Sequence, residues 1–301
     1  METAIKSVIG QSYSNWEIIL IDDDSTDEFE NVAAQFVKNG RIKVYRNKIN
    51  MGCGYTKQKC ASFASGDILA FLDPDDALDP DALKIMTEAH YQQQQCSIIH
   101  STHYICDELL AIKKIASYPR ALPPETPYLL LNDGSIHAFA SFKKSGYDKT
   151  QGISPLNKKA VDQDLYYKLE ETGAVLFINK PLYYYRIHKG AISNAGQEAA
   201  ATMAHYSIIE EACLRRIQEL KVSGGTENNK FWIKKYRTKY HKTRILHNAR
   251  KGDWLRFCYS LLLFPFIGGM QNLISYSRKL PAEGMALIRK SFFTTYKINA
   301  D

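Results

Sequence analysis

Between residues 16 and 105 short apolar runs alternate with segments of helical spacing, and that alternation leaves few folds open. "WEIILIDD" (16–23) is an apolar run ending in acids, and "DEFENVAAQFVKNG" (27–40) has apolar residues at helical spacing with a Gly stop. "RIKVYRN" (41–47) reads as a short strand, "GYTKQKCASFASG" (54–66) as a helix ending at Gly66, and "DILAFLD" (67–73) as the next strand. "PDALKIMTEAHYQQQ" (80–94) reads as a helix with Pro at its first position and an acidic first turn. "CSIIHSTHYI" (96–105) is a further strand. The pattern predicts βαβ units and a largely parallel sheet, with helices packed against it. In such a sheet ligands lie beyond the carboxyl ends of the strands. Asp22, Asp23, Asp73, Asp75 and Asp76 all fall at those ends.

The centre of this pattern is "FLDPDD" (71–76), three carboxylates in four residues straight after an apolar run. One explanation is a strand running into an acidic, solvated turn. The other is a metal site, because like charges this close repel unless a cation sits among them. Carboxylate oxygens suit Mg2+ or Mn2+, which keep positions open for phosphate oxygens.

The second half of the chain is organised differently. A Pro-rich connection, "YPRALPPETPY" (118–128), leads to a helix, "DQDLYYKLEETG" (162–173), and a strand, "AVLFINKPLYYYRIH" (174–188). From about 197 the chain reads as mostly helical, with a break at "VSGGTENN" (222–229). The net charge of +7 hides an asymmetry: residues 1–185 carry −5 and residues 186–301 carry +12. A basic tail suits an anionic surface such as a membrane or a polyphosphate, although many basic faces are only solvated. Nothing but this tail points to nucleic acid. The apolar stretch "WLRFCYSLLLFPFIGGMQNLI" (254–274) carries Arg256 and is interrupted by Pro265, Gly268 and Gly269. It fits a core helix pair, an interfacial segment behind a basic run, or a membrane span, the last limited by its short uninterrupted apolar part. The six cysteines contain no CxxC pair, so free thiols in a reducing compartment are expected. No signal peptide opens the chain, so the expected location is cytoplasmic, at the inner face of the plasma membrane if the tail docks there.

Several stretches together resemble the family-2 inverting glycosyltransferases of the GT-A fold. They are "AIKSVIGQSYSNWEIILIDDDSTD" (4–27), "NMGCGYTKQKCASFASGDILAFLDPDD" (50–76), "GYD" (146–148), "DQDLYYKLEETG" (162–173) and "PLYYYRIHKGAIS" (181–193), in the family's order. The resemblance implies a GT-A domain over 1–195, a Rossmann-like mixed α/β sheet flanked by helices, followed by a helical, basic region over 196–301. It implies metal-dependent transfer of a sugar, with inversion, from a nucleotide-sugar donor that is uridine diphosphate-linked. The acceptor would be a glycan or lipid-linked glycan hydroxyl, in cell-surface polysaccharide assembly.

The resemblance also assigns residues. Asp73 goes to the ribose or the metal, Asp75 to the metal with Asp76 beside it, and Asp22 and Asp23 to the nucleobase edge. Lys57 stands where relatives often carry an Arg facing the diphosphate; a solvated helix lysine is the plainer explanation. In "VDQDL" Asp162 matches the general base and Asp164 is the fallback, with helix capping open for either. Arg186 and His188 match an R-x-H motif beside metal and diphosphate, with a structural role equally open. His137 falls where relatives line the donor or acceptor pocket. Asp24 replaces a loop glycine, a change that a residue tolerant of left-handed backbone survives. The family's opening strand ahead of "AIKSVIGQ" has no counterpart here, so the expectation is a sheet that lacks it or is completed otherwise. Two rival readings use the same residues: a catalytically silent nucleotide-sugar-binding or scaffold protein, and a haloacid-dehalogenase-type phosphatase with Asp73 as nucleophile and Asp75 as acid.

Overall fold

The computed structural model of the chain describes residues 1–131, 133–188 and 198–268. The described chain forms two compact units, which part between His205 and Tyr206.

In the first unit the elements run α1 (Glu2–Ile9), β1 (Ile18–Asp22), α2 (Phe29–Ala34), β2 (Ile42–Arg46), α3 (Cys53–Phe63), β3 (Ile68–Ala70), β4 (Ala77–Leu78), α4 (Ala82–Gln92) and β5 (Cys96–Cys106). They continue through β6 (Ile112–Ile115), α5 (Tyr128–Leu131), β7 (Ala140–Lys143), α6 (Lys144–Tyr147), α7 (Val161–Leu169) and β8 (Ala174–Arg186). The strands and helices read from sequence are present but differ in extent: β3 is shorter than its apolar run, α2 ends at Ala34 well before the Gly40 stop, α3 ends at Phe63 before Gly66, and α4 begins at Ala82, past Pro80 and with no acid in its first turn.

The sheet departs from expectation in two ways. The larger sheet has the order β3-β7-β5-β8-β4, with β6 on β5. Its parallel pairing is β5 with β8; β7 pairs antiparallel with both β3 and β5, and β4 and β6 pair antiparallel as well. The sheet is mixed, as the resemblance implies, but with more antiparallel pairing than the strand–helix alternation predicts. The cause is the segment after β6, which returns β7 as a strand inserted between β3 and β5. The second departure is that β1 and β2 form a parallel two-stranded sheet of their own. Among the described residues no ladder bond joins it to the larger sheet.

Between the two sheets lies a cleft of about 1890 Å³, lined on one side by Ile18–Asp22 and on the other by Ile68–Asp73. One apolar core runs beneath both. Ile5 and Val8 of α1, Trp16, Ile42 of β2, Leu78 of β4, Met86 of α4, Ile99 of β5 and Leu182 of β8 are all buried in it. The long strand β5 is buried from Cys96 through His103, as expected of a central strand covered on both faces.

Side chains tie the small sheet to the rest. Glu17 Oε1 accepts from Ser65 N (2.6 Å), Ser65 Oγ (2.7 Å) and Gly66 N (3.0 Å), while its Oε2 takes Lys43 Nζ at 3.0 Å. The Gln11 amide donates to Ser7 O and Asp79 O and accepts from Leu83 N, fastening the end of α1 to α4.

The second unit is helical. The helix α8 (Glu198–Val222) enters it at Tyr206, and α9 (Glu227–Lys251) and α10 (Trp254–Gly268) follow. Within it Arg216 donates to Tyr236 Oη (3.1 Å), and His247 Nδ1 lies 2.7 Å from Glu210 Oε1. No described helix is long and apolar enough to cross a membrane. Residues 189–193 of the "PLYYYRIHKGAIS" stretch and 269–274 of the apolar stretch lie outside the described residues. All six cysteines are free thiols.

Burial opposes ionisation of Glu17, but the bonds from Ser65, Lys43 and Gly66 outweigh it and bring its pKa down from 4.5 to about 2. A carboxylate held down in this way contributes stability that is full above pH 4.5 and is lost as pH falls toward 2. Glu17→Gln is expected to cost about 2 kcal/mol at pH 7 and to flatten the acid limb of the stability profile between those values, measured by urea unfolding as a function of pH.

Candidate active site

The site begins at the carboxyl end of β3, where "DPDD" turns the chain toward β4. The three acids have different fates. Asp76 is 2% exposed. Its Oδ2 accepts from Tyr183 Oη and its Oδ1 from Arg186 N, both at 2.7 Å. Burial raises its pKa to about 6 against the pull of those two donors. With both oxygens accepting from β8, Asp76 anchors the turn. Asp75 faces His188, whose Nε2 lies 2.9 Å from its Oδ2. Asp73 is half exposed, and Lys57 Nζ stands 3.7 Å from its Oδ1.

Arg186 braces this turn. Its Nε donates to Asp75 O at 2.5 Å and one terminal nitrogen to Glu108 O at 2.9 Å, so its guanidinium ties the "DPDD" turn to the backbone after β5. Asp75, Arg186 and His188 all line the cleft.

Lys57 projects from α3 and joins two walls. Its Nζ sits 2.7 Å from Asp162 Oδ1 on α7 as well as facing Asp73. Burial works against its charge, but Asp162 and Asp73 outweigh that and push its pKa up. The geometry is set by the loop between α6 and α7. Gln58 Nε2 donates to Ile153 O (2.9 Å) and Gly54 N to Asn157 O (3.0 Å), which lays α3 against that loop. A Cβ at Gly54 would meet Asn157 O at 2.3 Å and Ser154 O at 2.4 Å, so only glycine allows this approach. From the other side, Lys168 Nζ donates to Gly152 O (2.9 Å) and to Asp164 Oδ2 (2.7 Å). Asn157 Nδ2 also donates to Asp164 Oδ2, at 3.1 Å.

The two acids of "VDQDL" therefore part. Asp164 has a side chain 3% exposed in a buried ion pair, which removes it as a fallback base. Asp162 has a side chain 46% exposed beside Lys57. Ala160 precedes them in left-handed conformation (φ 56°), a strained start to α7; Lys57, which Asp162 holds, lines the cleft, while Asp162 itself does not.

Under β1, Asp23 accepts from Asn47 Nδ2 (2.8 Å), Met51 N (2.9 Å) and Gly52 N (2.7 Å). Burial raises its pKa, but these donors and Thr56 lower it further. Asp22 is buried, accepts from Ser25 N (3.0 Å) and pairs with Arg46 Nε (3.1 Å). Both line the cleft, yet their oxygens face the protein's own donors. Asp24 has φ 63°, the left-handed geometry read from its place in the loop.

His137 does not line the cleft. It belongs to an aromatic cluster behind it, stacked on His103 at 5.1 Å and edge-on to Tyr118 and Tyr185. Local pattern does not single out Tyr183, Asn47 or Gly54, whose roles depend on partners far along the chain. Among the described residues no three His, Cys, Asp or Glu side chains converge as a ready metal cage. Asp75 and His188 place an oxygen and a nitrogen donor side by side; the carboxylate suits Mn2+ or Mg2+, and the imidazole fits the transition ion better than Mg2+.

This arrangement of acids at strand ends around one cleft has known relatives. The model of glycosyl transferase family 2 matches residues 1–160. The chain belongs to that family. Chondroitin synthase of Escherichia coli is 24% identical over 251 residues, 83% of this chain and 33% of the relative, so the chain spans about a third of that protein's length. An uncharacterized glycosyltransferase of Nostoc sp. is 25% identical over 98% of this chain and 94% of its own length. Among solved structures, Staphylococcus aureus TarS (residues 1–349) superposes with a TM-score of 0.62 at 16% identity, covering 88% of this chain and 76% of that one. Its complex with UDP gives 0.56 at 15% identity, covering 89% and 87%. The family-2 chain is thus a glycosyltransferase with the GT-A fold and a helical C-terminal region.

Removing Asp164 leaves Lys168 charged and buried without its carboxylate, whereas removing Asp162 leaves the mostly buried Lys57 with Asp73 still 3.7 Å away. Asp164→Ala is expected to cost about 3 kcal/mol or more, and Asp162→Ala less, about 1 kcal/mol, because Asp73 remains and Asp162 itself is half exposed, when both are compared by thermal and urea unfolding.

Proposed function

We propose that this family-2 enzyme transfers a sugar from a uridine diphosphate-linked donor to a hydroxyl of a glycan or lipid-linked glycan, with inversion, in polysaccharide assembly. The observation that carries the reading is the Lys57 junction, which brings Asp162 within 2.7 Å and Asp73 within 3.7 Å of one ammonium at the cleft wall. The likeness to chondroitin synthase and to a structure solved with UDP supports the choice of donor and product class.

On this reading Asp162 is the general base. Its carboxylate takes the acceptor hydroxyl's proton as that oxygen attacks the anomeric carbon. The bond from the anomeric carbon to the donor's phosphate oxygen breaks on the opposite face, which inverts the centre. Lys57 offers its charge to the departing diphosphate, and the nucleobase end lies against the loop organised by Asp22 and Asp23. Arg186 holds the "DPDD" turn in place, and Asp73 faces the donor's ribose or its metal. Asp75 and His188 are the residues that would hold Mn2+ or Mg2+. A divalent cation bound there supplies positive charge to the leaving diphosphate. The basic C-terminal region lies beside a membrane in this reading, where lipid-linked acceptors are found.

The test is a panel of UDP-sugars with Mn2+, scored by release of UDP and by thermal shift. Asp162→Asn is expected to lower turnover about a thousandfold while UDP still raises the melting temperature by mass action. Turnover that survives Asp162→Asn would reject the base. A chain that binds UDP but turns over no donor with any glycan acceptor would be the silent binding protein instead.

A further inference from the structure

The helix α10 is apolar on two opposite faces. One is covered: Phe257 is 3% and Ser260 2% exposed. Phe257 packs with Ile245, Ala249 and Leu261, and Asn248 Nδ2 reaches Ser260 Oγ at 3.4 Å. The other face is open. Trp254 (37%), Leu255 (87%), Tyr259 (64%) and Leu262 (72%) are exposed, together with Cys258. At 100° per residue Leu255, Cys258, Tyr259 and Leu262 fall within one stripe on the side away from Phe257 and Ser260, and Trp254 stands at its edge, its ring edge-on to Phe257 at 5.6 Å. A helix apolar on both sides is ordinarily buried on both, so the open face needs a cover.

The helix is held firmly for this purpose. Gly252 closes α9 in left-handed conformation (φ 76°), with Gly252 N bonded to Ala249 O and Asp253 N to Asn248 O. Asp253 then caps α10 through Arg256 N at 3.1 Å. The tight turn presents Arg250, Lys251 and Arg256, all exposed, at the start of the stripe. Upstream on α9, Lys230, Lys234, Lys235 and Arg237 are exposed as well.

We infer that this stripe is a membrane-docking surface, its occupant the headgroup and upper acyl region of an anionic bilayer. An apolar groove on another protein would not require the cationic border. A nucleic acid would use the border and leave Leu255 and Leu262 idle. A bilayer of anionic lipid uses both at once: leucines enter the acyl boundary, Trp254 and Tyr259 sit at headgroup level, and Arg250, Lys251 and Arg256 meet lipid phosphates. The helix lies in the interface plane and does not span it. This inference rests on and deepens the membrane reading of the proposed function, and vesicle binding succeeds or fails separately from UDP release.

The test is co-sedimentation of the full chain with vesicles of phosphatidylcholine containing 30% phosphatidylglycerol, against phosphatidylcholine alone. Binding is expected to the anionic vesicles, weakening as salt is raised. Leu255→Glu combined with Leu262→Glu should reduce the bound fraction about tenfold or more, since two apolar anchors are replaced by charges repelled from the surface. Both positions are largely exposed, and an unchanged melting temperature checks that the fold is intact. A second readout, the blue shift of tryptophan emission on adding anionic vesicles, should shrink in Trp254→Phe. Absence of binding by the unmodified chain overturns the inference. Binding that survives the double glutamate change but is lost in Arg250→Gln/Lys251→Gln and competed by DNA overturns it too, in favour of a polyanion site.

Discussion

The buried carboxylate of Asp76 is the contact on which the site's geometry depends. It sits at the crossing of two chain segments 107 residues apart, accepting from the Tyr183 hydroxyl and from the backbone of Arg186. A carboxylate taken out of water is costly, and two short bonds to it hold only if β4 is seated against β8. That seating fixes the last turn of "DPDD", so Asp75 meets His188 and Asp73 faces Lys57. Tyr183 spends its hydroxyl twice, since Asp73 N also approaches it at 3.3 Å. The acid least visible from the cleft thus places the two that line it.

Lys57 has a comparable role on the opposite wall. A single ammonium between Asp162 and Asp73 stabilises a cluster that would otherwise repel itself, and it does so from a helix pinned by Gly54 to the loop ahead of α7. In the proposed reaction a donor diphosphate brings new negative charge to the same ammonium. Lys57 then shares its charge between the phosphate and the carboxylates, which loosens its hold on Asp162. The base and the leaving group are coupled through one side chain, with no motion of the backbone required.

Much of this was readable in advance, and the remainder fails for definite reasons. Acids at strand ends and the helix carrying Lys57 follow from local pattern, periodicity and the position of charge, and the left-handed Asp24 from the resemblance, which puts a glycine there. What local pattern does not carry is the choice among neighbouring acids. Asp75 and Asp76 are adjacent and chemically identical, and Asp162 and Asp164 are two apart. Tyr183 and Lys168 decide which of each pair is buried, and the burial exists only once the sheet and α7 are assembled. The inserted strand β7 was missed for a similar reason. Its apolar run is short and follows a Pro-rich connection, and an antiparallel return leaves no βαβ signature. Asp23 was legible as a cleft residue, but its bonds to Met51 and Gly52 reach across 28 and 29 residues.

The split sheet gives the two sides of the cleft different mechanical footing. The side carrying Asp73, Asp75, Arg186 and His188 grows out of six hydrogen-bonded strands. The side carrying Asp22 and Asp23 stands on two strands, held to the rest by Glu17, Asp23 and the packing of Ile18, Leu20 and Val44 against the common core. Side-chain bonds and apolar contacts give less cooperative resistance than a continuous ladder, so local opening is cheaper there. The half-buried faces of β1 and β3 both look onto the cleft, and apolar surface flanking a void lacks partner atoms on one side. Whatever fills that space gains those contacts and stiffens the wall on which the nucleobase end of the donor would rest. Filling of the cleft therefore favours order on the two-stranded side, while the "DPDD" turn is already tied to β8 through Asp76.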